Sequence, residues 1–255
     1  MKLVTLMENT ALSSEFAYEH GLSLYLETDG QKILFDAGQS GAFADNAGKL
    51  GIDLGAVEIC ILSHGHYDHG GGLGRFLEEN THAKIYVNRH AFEPHYNASG
   101  KYIGLDLQLQ KTNRLCYTDG NWRLRENLHL LTLDTPPMDT SGLTVMENGQ
   151  LRPEDFRHEQ YLLVEERGKK ILISGCSHKG ILNIMEAFRP DVLVGGFHFM
   201  KIEDPEKLKS YARKLLAYPT TYYTGHCTGK QQFTALKEIM GERLHEVCAG
   251  TVVEI

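Results

Sequence analysis

Short apolar runs separated by glycine-containing turns dominate the first part of the chain. Unbroken apolar runs and strict alternation are typical of strands, whereas an apolar period near 3.6 residues is typical of helices. The predicted strands here are 2–7, 22–28, 31–36, 57–62 and 83–88, and the predicted helices are 43–50 and 73–79. The run at 57–62 has no polar interruption, which predicts a strand buried on both faces.

The second part of the chain returns to the same alternation of strands and helices. The predicted strands are 128–133, 143–146, 160–166, 169–174, 191–195, 220–224 and 246–253, and the predicted helices are 181–188, 205–218 and 231–240. Between the two parts, residues 90–127 are rich in His, Tyr, Asn, Gln and Arg and show no clear period. We therefore expect a single domain spanning 1–255, with a loop-rich insertion near 90–127 that acts as a lid.

Two predicted hairpins resemble each other. Residues 25–38 read YLETDGQKILFDAG and residues 163–176 read LVEERGKKILISGC, and they align without gaps. The identical pairs are Glu27/Glu165, Gly30/Gly168, Lys32/Lys170, Ile33/Ile171 and Leu34/Leu172. Shared hairpin chemistry explains such identity, and an internal duplication explains it equally well. Duplication predicts a four-layer αββα sandwich of the α/β (α+β) class, with strand ends of both halves meeting at one edge.

Four candidate metal ligands follow the predicted strand 57–62 within six residues: His64, His66, Asp68 and His69. In an extended segment His64 and His66 point the same way, because side chains repeat with period two. Asp68 and His69 come after the chain turns into a helix, so we expect them to face a second cation. Neutral imidazoles with a carboxylate are the donors that Zn²⁺ prefers, and Fe²⁺ or Mn²⁺ also accept them.

The second predicted hairpin ends in the stretch ISGCSHKG, which carries Cys176 and His178. A thiol beside an imidazole can form a catalytic nucleophile or a metal site. The two residues can also be buried side chains that have no functional role. The stretch alone leaves these interpretations open. If the two halves pack face to face, this pair shares a cleft with the histidines of the first half.

Charge and composition exclude several classes of function. The net charge is −7 and the chain has no long basic run, which disfavours sequence-tolerant binding of nucleic acid. No apolar segment is long enough for a signal peptide or a membrane span. The five cysteines are widely spaced and contain no CxxC, which favours a reducing cytoplasm over a disulfide framework. We therefore expect a cytoplasmic protein without nucleic-acid or membrane partners.

HGHYDH resembles the HxHxDH signature of the metallo-β-lactamase superfamily, whose fold is an αββα sandwich. The resemblance runs over most of the chain. SHGHYDHGGGL, ISGCSHKGI, GGFH and GHCTG, in that order, resemble the group of 7,8-dihydropterin-6-methyl-4-(β-D-ribofuranosyl)aminobenzene-5′-phosphate synthases. Asp36 stands where the superfamily carries an acidic residue that orients the metal loop, and His226 stands where the last ligand belongs.

This resemblance implies a centre of two divalent transition-metal ions, either zinc or the alternatives iron and manganese. The implied ligands are His64, His66 and His178 for the first ion and Asp68, His69 and His226 for the second. Two ions about 3.5–4 Å apart lower the pKa of a shared water. Most members carry a bridging aspartate where this chain has Cys176, whose sulfur either approaches the metals as a thiolate or simply packs and leaves the bridge to hydroxide. They also have an upstream histidine, for which His158 is a weak candidate with an expected surface position.

Four further residues are candidate substrate contacts. His198 follows a predicted strand that opens on the same cleft, so it is a substrate contact, a general acid or a buried histidine. Thr228 and Lys230 begin a helix whose free N–H groups suit a phosphate, although an N-cap and a solvated lysine explain them too. His20 precedes the first hairpin and is expected to line the cleft.

The sequence therefore predicts a metal-dependent hydrolase or related transferase that acts on a phosphorylated or pterin-like small molecule. Asp68 would serve both as a ligand and as a proton acceptor. One alternative is an iron-dependent redox module, although such relatives carry Glu where this chain has His66. Another is a non-catalytic metal-binding sensor, which the complete ligand set disfavours.

Overall fold

The computed structural model describes residues 1–140 and 142–255, which form seventeen strands and six α-helices. The strands are β1 (Lys2–Met7), β2 (Ser23–Thr28), β3 (Gln31–Phe35), β4 (Ile59–Ile61), β5 (Lys84–Asn88), β6 (His95–Tyr96), β7 (Leu115–Thr118), β8 (Trp122–Arg123), β9 (Leu128–Leu131), β10 (Thr144–Glu147), β11 (Gln150–Pro153), β12 (Tyr161–Glu166), β13 (Lys169–Ile173), β14 (Val192–Val194), β15 (Thr221–Thr224), β16 (Leu244–Glu246) and β17 (Val252–Glu254). The α-helices are α1 (Ala42–Lys49), α2 (Tyr67–Gly70), α3 (Leu73–Glu79), α4 (Ile181–Phe188), α5 (Pro205–Leu216) and α6 (Lys230–Met240). Short 3₁₀ helices cover Leu54–Ala56, Leu107–Lys111, His226–Thr228 and Gly241–Arg243.

Two seven-stranded sheets share one pattern of strand directions. The first has the order β17-β1-β2-β3-β4-β5-β7, and the second has the order β8-β9-β12-β13-β14-β15-β16. In each sheet three antiparallel pairs are followed by three parallel pairs. A smaller antiparallel sheet has the order β11-β10-β6. The repeated pattern supports the duplication that the two hairpins suggested.

Both hairpins are closed by the same kind of turn. Asp29 and Gly30 join β2 to β3 with φ values of 46° and 75°, and Arg167 and Gly168 join β12 to β13 with φ values of 51° and 76°. Two consecutive residues with positive φ define the mirror-image turn that matches the twist of a hairpin. The shared glycine therefore has a backbone reason in each half.

The side chains of the central strands alternate between two layers of core. In β13, Ile171 and Ile173 pack between the two sheets, whereas Leu172 packs against the helices outside the second sheet. In the same way Ile33 of β3 lies between the sheets and Leu34 faces the helices outside the first. This alternation is the period of two expected of a strand buried on both faces. The four-layer αββα sandwich predicted from the sequence is therefore confirmed.

Amphipathic helices cover the outer face of each sheet. Helices α1 and α3 pack on the first sheet, and α4, α5 and α6 pack on the second. The longest, α5, is capped by the Asp204 side chain, has Pro205 at its first position, and buries Leu208, Ala212 and Leu215. None of the helices within the described residues is long and apolar enough to cross a bilayer.

The 90–127 segment contains more regular structure than its pattern predicted. Within it, β7 extends the first sheet, β8 extends the second, and β6 joins the small sheet. Strands β6 and β8 contain two residues each, so they are too short for an alternating period to appear in the sequence. The segment therefore links the main layers as well as forming loops.

The strand predicted at 246–253 is wrong, because this stretch divides between two sheets. Strand β16 closes the second sheet, and β17 pairs with β1 in the first. Gly250, at a φ of 94°, lies in the turn between them. The end of the chain thus crosses from one half of the sandwich to the other.

Candidate metal centre

The histidine loop, residues 64–69, leaves the buried strand β4 and enters the short helix α2. Gly65 is required there, because a Cβ at its position would lie 2.0 Å from the carbonyl oxygen of Ala91. His64 and His69 are fully buried, and His66 and Asp68 are 4% and 8% exposed. Buried polar groups require partners, so the arrangement of these four side chains decides what the loop does.

The donor atoms of His69, Cys176 and His226 lie together, although they come from both halves of the chain, and Asp68 lies against the two histidines. Nε2 of His69 lies 3.2 Å from the sulfur of Cys176 and 3.2 Å from Nε2 of His226. Oδ2 of Asp68 lies 3.4 Å from Nε2 of His226 and 3.7 Å from Nε2 of His69. Nitrogen, oxygen and sulfur donors at this spacing suit a single transition-metal ion.

Asp36 orients the ring of His69 by contacting the nitrogen that is not turned towards the candidate ligands. Its Oδ2 lies 2.6 Å from Nδ1 of His69, and its carboxylate also accepts the backbone N–H and the hydroxyl of Ser63 at 2.7 Å each. A proton on Nδ1 of His69 leaves the lone pair on Nε2, which faces the converging ligands. Asp36 therefore occupies the position beside the metal loop that the sequence assigned to it.

His226 is oriented by residues of the first half. Its Nδ1 lies 2.8 Å from Oδ1 of Asn9, which accepts the ring proton and leaves Nε2 facing Asp68. The buried carboxylate of Glu8 accepts the backbone N–H of His226. These contacts fix both the ring and the backbone of this residue.

A second group contains His64, Cys176 and His178, whose candidate ligand atoms lie within 4.8 Å of one another. The rings of His64 and His178 are 4.9 Å apart between centroids, and both residues are buried. Nε2 of His64 and both ring nitrogens of His178 have no hydrogen-bond partner among the described residues. Unpartnered buried nitrogens require an ion or a water, so this group fits a bound metal.

The turn that carries His178 is held rigidly. The ring of His178 stacks on Phe156 at a centroid distance of 4.3 Å and an interplanar angle of 5°. The buried carboxylate of Glu159 accepts the backbone N–H groups of His178 and Lys179 at 2.6 Å and 2.9 Å. The position of the histidine after β13 is therefore determined by residues that precede β12.

Cys176 belongs to both groups of candidate ligands. The sequence left open whether its sulfur approaches the metals or simply packs, and in the structure the sulfur lies within 4.8 Å of the candidate donor atoms of both groups. Burial, followed by the neighbouring Cys227 thiol, raises the pKa of the Cys176 thiol. A bound cation reverses this effect, because it stabilises the thiolate.

Burial keeps most of the site histidines neutral. It lowers the pKa of His64 and His178 well below the usual range, and that of His226 to about 4. Burial also disfavours charge on His69, but Asp36 and Asp68 outweigh it and raise the pKa of His69. Burial opposes the ionisation of Asp68, yet His69 and contacts to neighbouring histidines hold its pKa well below the usual range. Neutral imidazoles and an ionised carboxylate are the forms that bind metals.

Left-handed backbone conformations cluster around the site. Five non-glycine residues with positive φ line it: Asp36 (60°), Phe156 (53°), Ser177 (57°), His198 (57°) and His226 (50°). Each such conformation costs about 1–3 kcal/mol and persists only where the surroundings hold it. Residues with a strained backbone are therefore concentrated around the candidate metal ligands.

His20 and His198 lie next to the candidate metal ligands, and their roles as substrate contacts stay predictions. Nε2 of the exposed His20 lies 3.2 Å from Oδ2 of Asp68. The ring of His198 lies 4.4 Å from that of His178 and lines a cavity of about 300 Å³. Burial, followed by the nearby Lys201, lowers the pKa of His198 to about 4.

Thr228 and Lys230 lie apart from that cavity. The buried hydroxyl of Thr228 accepts the N–H of Phe197 at 2.9 Å and contacts the hydroxyl of Thr224 at 2.5 Å. Thr228 is therefore already paired inside the protein, and its role as a substrate contact stays a prediction. Lys230 lines a separate cavity of about 210 Å³ that also borders His226.

The predicted surface position of His158 is wrong. The residue is fully buried, and its Nδ1 accepts the backbone N–H of Gly65 at 2.7 Å. It belongs to a third group of candidate ligands with His66, His95 and Glu154. Sequence reasoning missed this group, because His95 lies on the two-residue strand β6 and Glu154 follows β11, which no pattern predicted.

Relatives in sequence place these features in a known family. A family described as the metallo-beta-lactamase superfamily matches residues 19–226. A protein of Methanocaldococcus jannaschii named 7,8-dihydropterin-6-methyl-4-(beta-D-ribofuranosyl)-aminobenzene-5'-phosphate synthase is 27% identical over 285 residues, covering 100% of this chain and 96% of the relative. An uncharacterised protein of the same organism is 27% identical over 250 residues, covering 92% of this chain and 93% of the relative.

A solved structure is similar over the whole length. Tm1679, described as a metal-dependent hydrolase of the beta-lactamase superfamily, superposes with a TM-score of 0.86 at 28% identity. The match covers 100% of this chain and 99% of that one. With the family match extending over most of its length and the same fold in a solved relative, the chain belongs to the metallo-beta-lactamase superfamily.

Proposed function

We propose that this protein is a metal-dependent hydrolase, or a related transferase, with a centre of two divalent transition-metal ions. The observation that carries the proposal is the sulfur of Cys176, which lies among the candidate ligands of two adjoining groups. Imidazole, carboxylate and thiolate donors together favour zinc, with iron and manganese as alternatives.

The donors divide into two sets around this sulfur. One ion is assigned to His64 and His178 with Cys176. The other is assigned to Asp68, His69 and His226 with Cys176. The first assignment is supported by the unpartnered nitrogens of His64 and His178, and the second by the lone pairs that Asp36 and Asn9 direct into the site. His66 joins the first set: its ring lies 5.0 Å from that of His178 between centroids, and its Nε2 has no hydrogen-bond partner among the described residues.

The residues around the site suit the movement of a proton. Ions bound here would supply Lewis acidity and lower the pKa of a nearby water. Asp68, which is held ionised, presents Oδ2 to His20 at 3.2 Å and can accept a proton at that atom. His198 is neutral at neutral pH and carries an N–H that can hold an anionic group in the cavity.

The cavity supports a phosphorylated or pterin-like small molecule as the substrate. Its wall combines the aromatic rings of Phe199 and Tyr211, 4.5 Å apart between centroids, with Met138 and Lys207. Aromatic and apolar surfaces favour a planar group. Lys201 and Lys207 would attract an anion, although Asp139, Glu203 and Asp204 line the same cavity. The name of the Methanocaldococcus relative, which combines a pterin with an aminobenzene phosphate, points to the same class.

The test combines metal analysis with a substrate panel. Protein purified without chelator is expected to carry more than one equivalent of transition metal. Metal-loaded protein should hydrolyse at least one phosphorylated compound in a panel of phosphomonoesters, phosphodiesters, lactones and thioesters. Asp68→Asn should abolish this activity, whereas Asp119→Asn, at an exposed ion pair with Arg89, should retain it.

Less than one equivalent of metal would contradict the two-ion centre. A panel left wholly unhydrolysed by loaded protein would contradict the hydrolase and favour a sensor. Oxygen consumption by an iron-loaded sample, without hydrolysis, would favour the redox alternative.

A further inference from the structure

A second cavity, of about 240 Å³, adjoins the cavity beside His198. The two cavities share Met138, Lys207 and Tyr211 in their walls, so they form one continuous cleft. Apart from Met138, the described residues that line the second cavity all belong to helix α5: Lys207, Ser210, Tyr211 and Lys214. A molecule bound beside His198 therefore has room to extend past Met138 and along α5.

The lining residues from α5 lie on one stripe of the helix, because positions 207, 210, 211 and 214 are spaced i, i+3, i+4 and i+7. The apolar face of α5 packs against the second sheet, which fixes the direction in which this stripe faces. Lys207 and Lys214 lie about 10.5 Å apart along the helix axis. Their long side chains can therefore reach one bound group from the two ends of the cavity.

Charge separates the two parts of the cleft. The part beside His198 is lined by lysines and carboxylates together: Lys201, Lys207, Asp139, Glu203 and Asp204. The part on α5 is lined by two lysines and, among the described residues, by no carboxylate. Neither Lys207 nor Lys214 makes an ion pair within the described residues, whereas Lys209 of the same helix is paired with Glu206 at 2.8 Å. An anionic group is therefore favoured at the α5 end.

Two hydroxyl groups lie between these lysines. The exposed side chain of Ser210 makes no hydrogen bond within the described residues. The ring of Tyr211 packs on that of Phe199 at a centroid distance of 4.5 Å, which fixes its position. Burial, followed by Asp139, raises the pKa of Tyr211, so its hydroxyl keeps its proton at neutral pH. Ammonium and hydroxyl donors together suit the oxygens of a phosphate group.

We propose that Lys207 and Lys214, with Ser210 and Tyr211 between them, form a subsite for a phosphomonoester group at the end of the substrate remote from the metal centre. The substrate is that of the proposed function, on which the subsite rests. Its reacting bond lies beside His198, and its phosphate lies past Met138, where it serves binding and takes no part in the reaction. The cleft therefore selects molecules long enough to span both parts.

Binding of 1-naphthyl phosphate tests the subsite independently of activity. Isothermal titration is carried out with zinc-loaded protein and with protein stripped of metal by a chelator, for the wild type and for the double variant Lys207→Gln/Lys214→Gln. We expect the double variant to bind the probe about tenfold more weakly in both forms, because two positive charges are lost. Added salt should reduce this difference, since it screens exposed charges.

Two controls separate charge from packing. Lys209→Gln removes a lysine of the same helix that does not line the cavity, so it should bind 1-naphthyl phosphate as the wild type does. The compound 1-naphthol lacks the phosphate and should bind equally to the wild type and the double variant. An unchanged affinity of the double variant for 1-naphthyl phosphate would overturn the subsite. Equal losses for both compounds would overturn it too, because they would reflect altered packing.

Hydrolysis of the substrate panel separates the fate of the subsite from that of the proposed function. Weakened binding of 1-naphthyl phosphate in the double variant, with no compound of the panel hydrolysed, would support the subsite and contradict the hydrolase. Hydrolysis of a phosphorylated compound with the same KM in the wild type and the double variant would support the hydrolase and contradict the subsite.

Discussion

The sulfur of Cys176 lies 3.2 Å from Nε2 of His69 and is buried beside the nitrogens of His64 and His178. A carboxylate bridges two ions through two oxygens, whereas a thiolate bridges through a single atom. In the proposed centre, Cys176 would therefore supply one ligand atom that both sets share. The surrounding burial disfavours a free thiolate, so a charged sulfur here depends on bound cations.

Replacing this sulfur should weaken both ion sites together. In Cys176→Ser we expect metal affinity to fall by at least about tenfold, because a neutral hydroxyl replaces a thiolate ligand. Cobalt-loaded wild-type protein should show a thiolate-to-cobalt charge-transfer band that the variant lacks. Absorption spectroscopy during a cobalt titration measures both effects.

Cys116→Ser provides the control, since Cys116 lies on the edge strand β7 and belongs to none of the recorded ligand groups. It should keep the band and the affinity. A band that persists in Cys176→Ser would show that this sulfur does not touch the metals.

Asp36 acts on the ion through His69 instead of contacting it. In Asp36→Asn we expect a loss of about 10–100-fold in metal affinity, because an amide no longer holds the proton on Nδ1. Isothermal titration with zinc measures the change. Asp45→Asn, on the exposed side of α1, should leave the affinity unchanged. An unchanged affinity in Asp36→Asn would mean that the ring is oriented by packing alone.

At the scale of single residues, the sequence pattern revealed candidate ligands only where several of them lie close together in the chain. His64 and His69 are visible because they share one loop with four candidate donors. His158 was assigned to the surface because it follows a charged stretch, yet Gly65 and Phe156 enclose it. Burial of a lone histidine depends on contacts far away in the chain, and a local pattern does not contain them.

At the scale of elements, the turns of the two hairpins show a direct link from residue to backbone. Gly30 and Gly168 both have positive φ, and nothing lies within 4 Å of a Cβ built on either. The requirement for glycine is therefore conformational and not steric. The same two-residue turn in each half supports a shared register for the hairpins that deliver Asp36 and Cys176.

Gly168→Ala should lower the free energy of unfolding by about 1–2 kcal/mol, because alanine is strained in the left-handed region. Gly74→Ala is the matched control, since Gly74 lies in α3 and also has open space around its Cβ. That change should raise stability by about 0.5–1 kcal/mol. Urea unfolding of the metal-free proteins measures both. Equal effects of the same sign would contradict the conformational argument.

Element prediction failed chiefly for the shortest elements. The helices 181–188 and 73–79 were located to the residue, because apolar spacing over two turns is unambiguous. The strands β6 and β8 were missed because two residues carry no period. Their pairing is decided by the larger sheets beside them, and not by their own residues.

At the scale of the whole molecule, the site encloses several histidines that stay neutral. Burial lowers the pKa of six: His64, His66 (to about 3), His158, His178, His198 (to about 4) and His226 (to about 4). In the unfolded chain each has a pKa near 6.5. Below that pH the unfolded state binds more protons than the folded state, so stability falls as the pH falls from about 6.5 towards about 4.

The metal-free protein should therefore unfold in mild acid. Each histidine that stays neutral is expected to reduce the free energy of unfolding by about 2 kcal/mol between about pH 7 and about pH 5. His69 opposes this only above pH 6.5, because its pKa is raised and its stabilising charge is lost as the pH rises. Urea unfolding at the two pH values measures the slope.

His178→Gln removes one of these groups and should lower the proton uptake on unfolding by one. His129→Gln, which is partly exposed, should leave the slope unchanged. A wild-type stability independent of pH over this range would show that the buried histidines take up protons in the folded state.

The sequence by itself determined the family, the αββα class and the histidine loop, because these depend on alternation, turn chemistry and ligands adjacent in the chain. Only the tertiary structure decided which candidate ligands from the two halves of the chain lie next to one another. It placed Cys176 between two sets of donors and buried His158 with His95 and Glu154. The physical reason is that a site at the meeting edge of two sheets is assembled from strand ends. Their relative positions follow from the packing of the sheets, which no local pattern records.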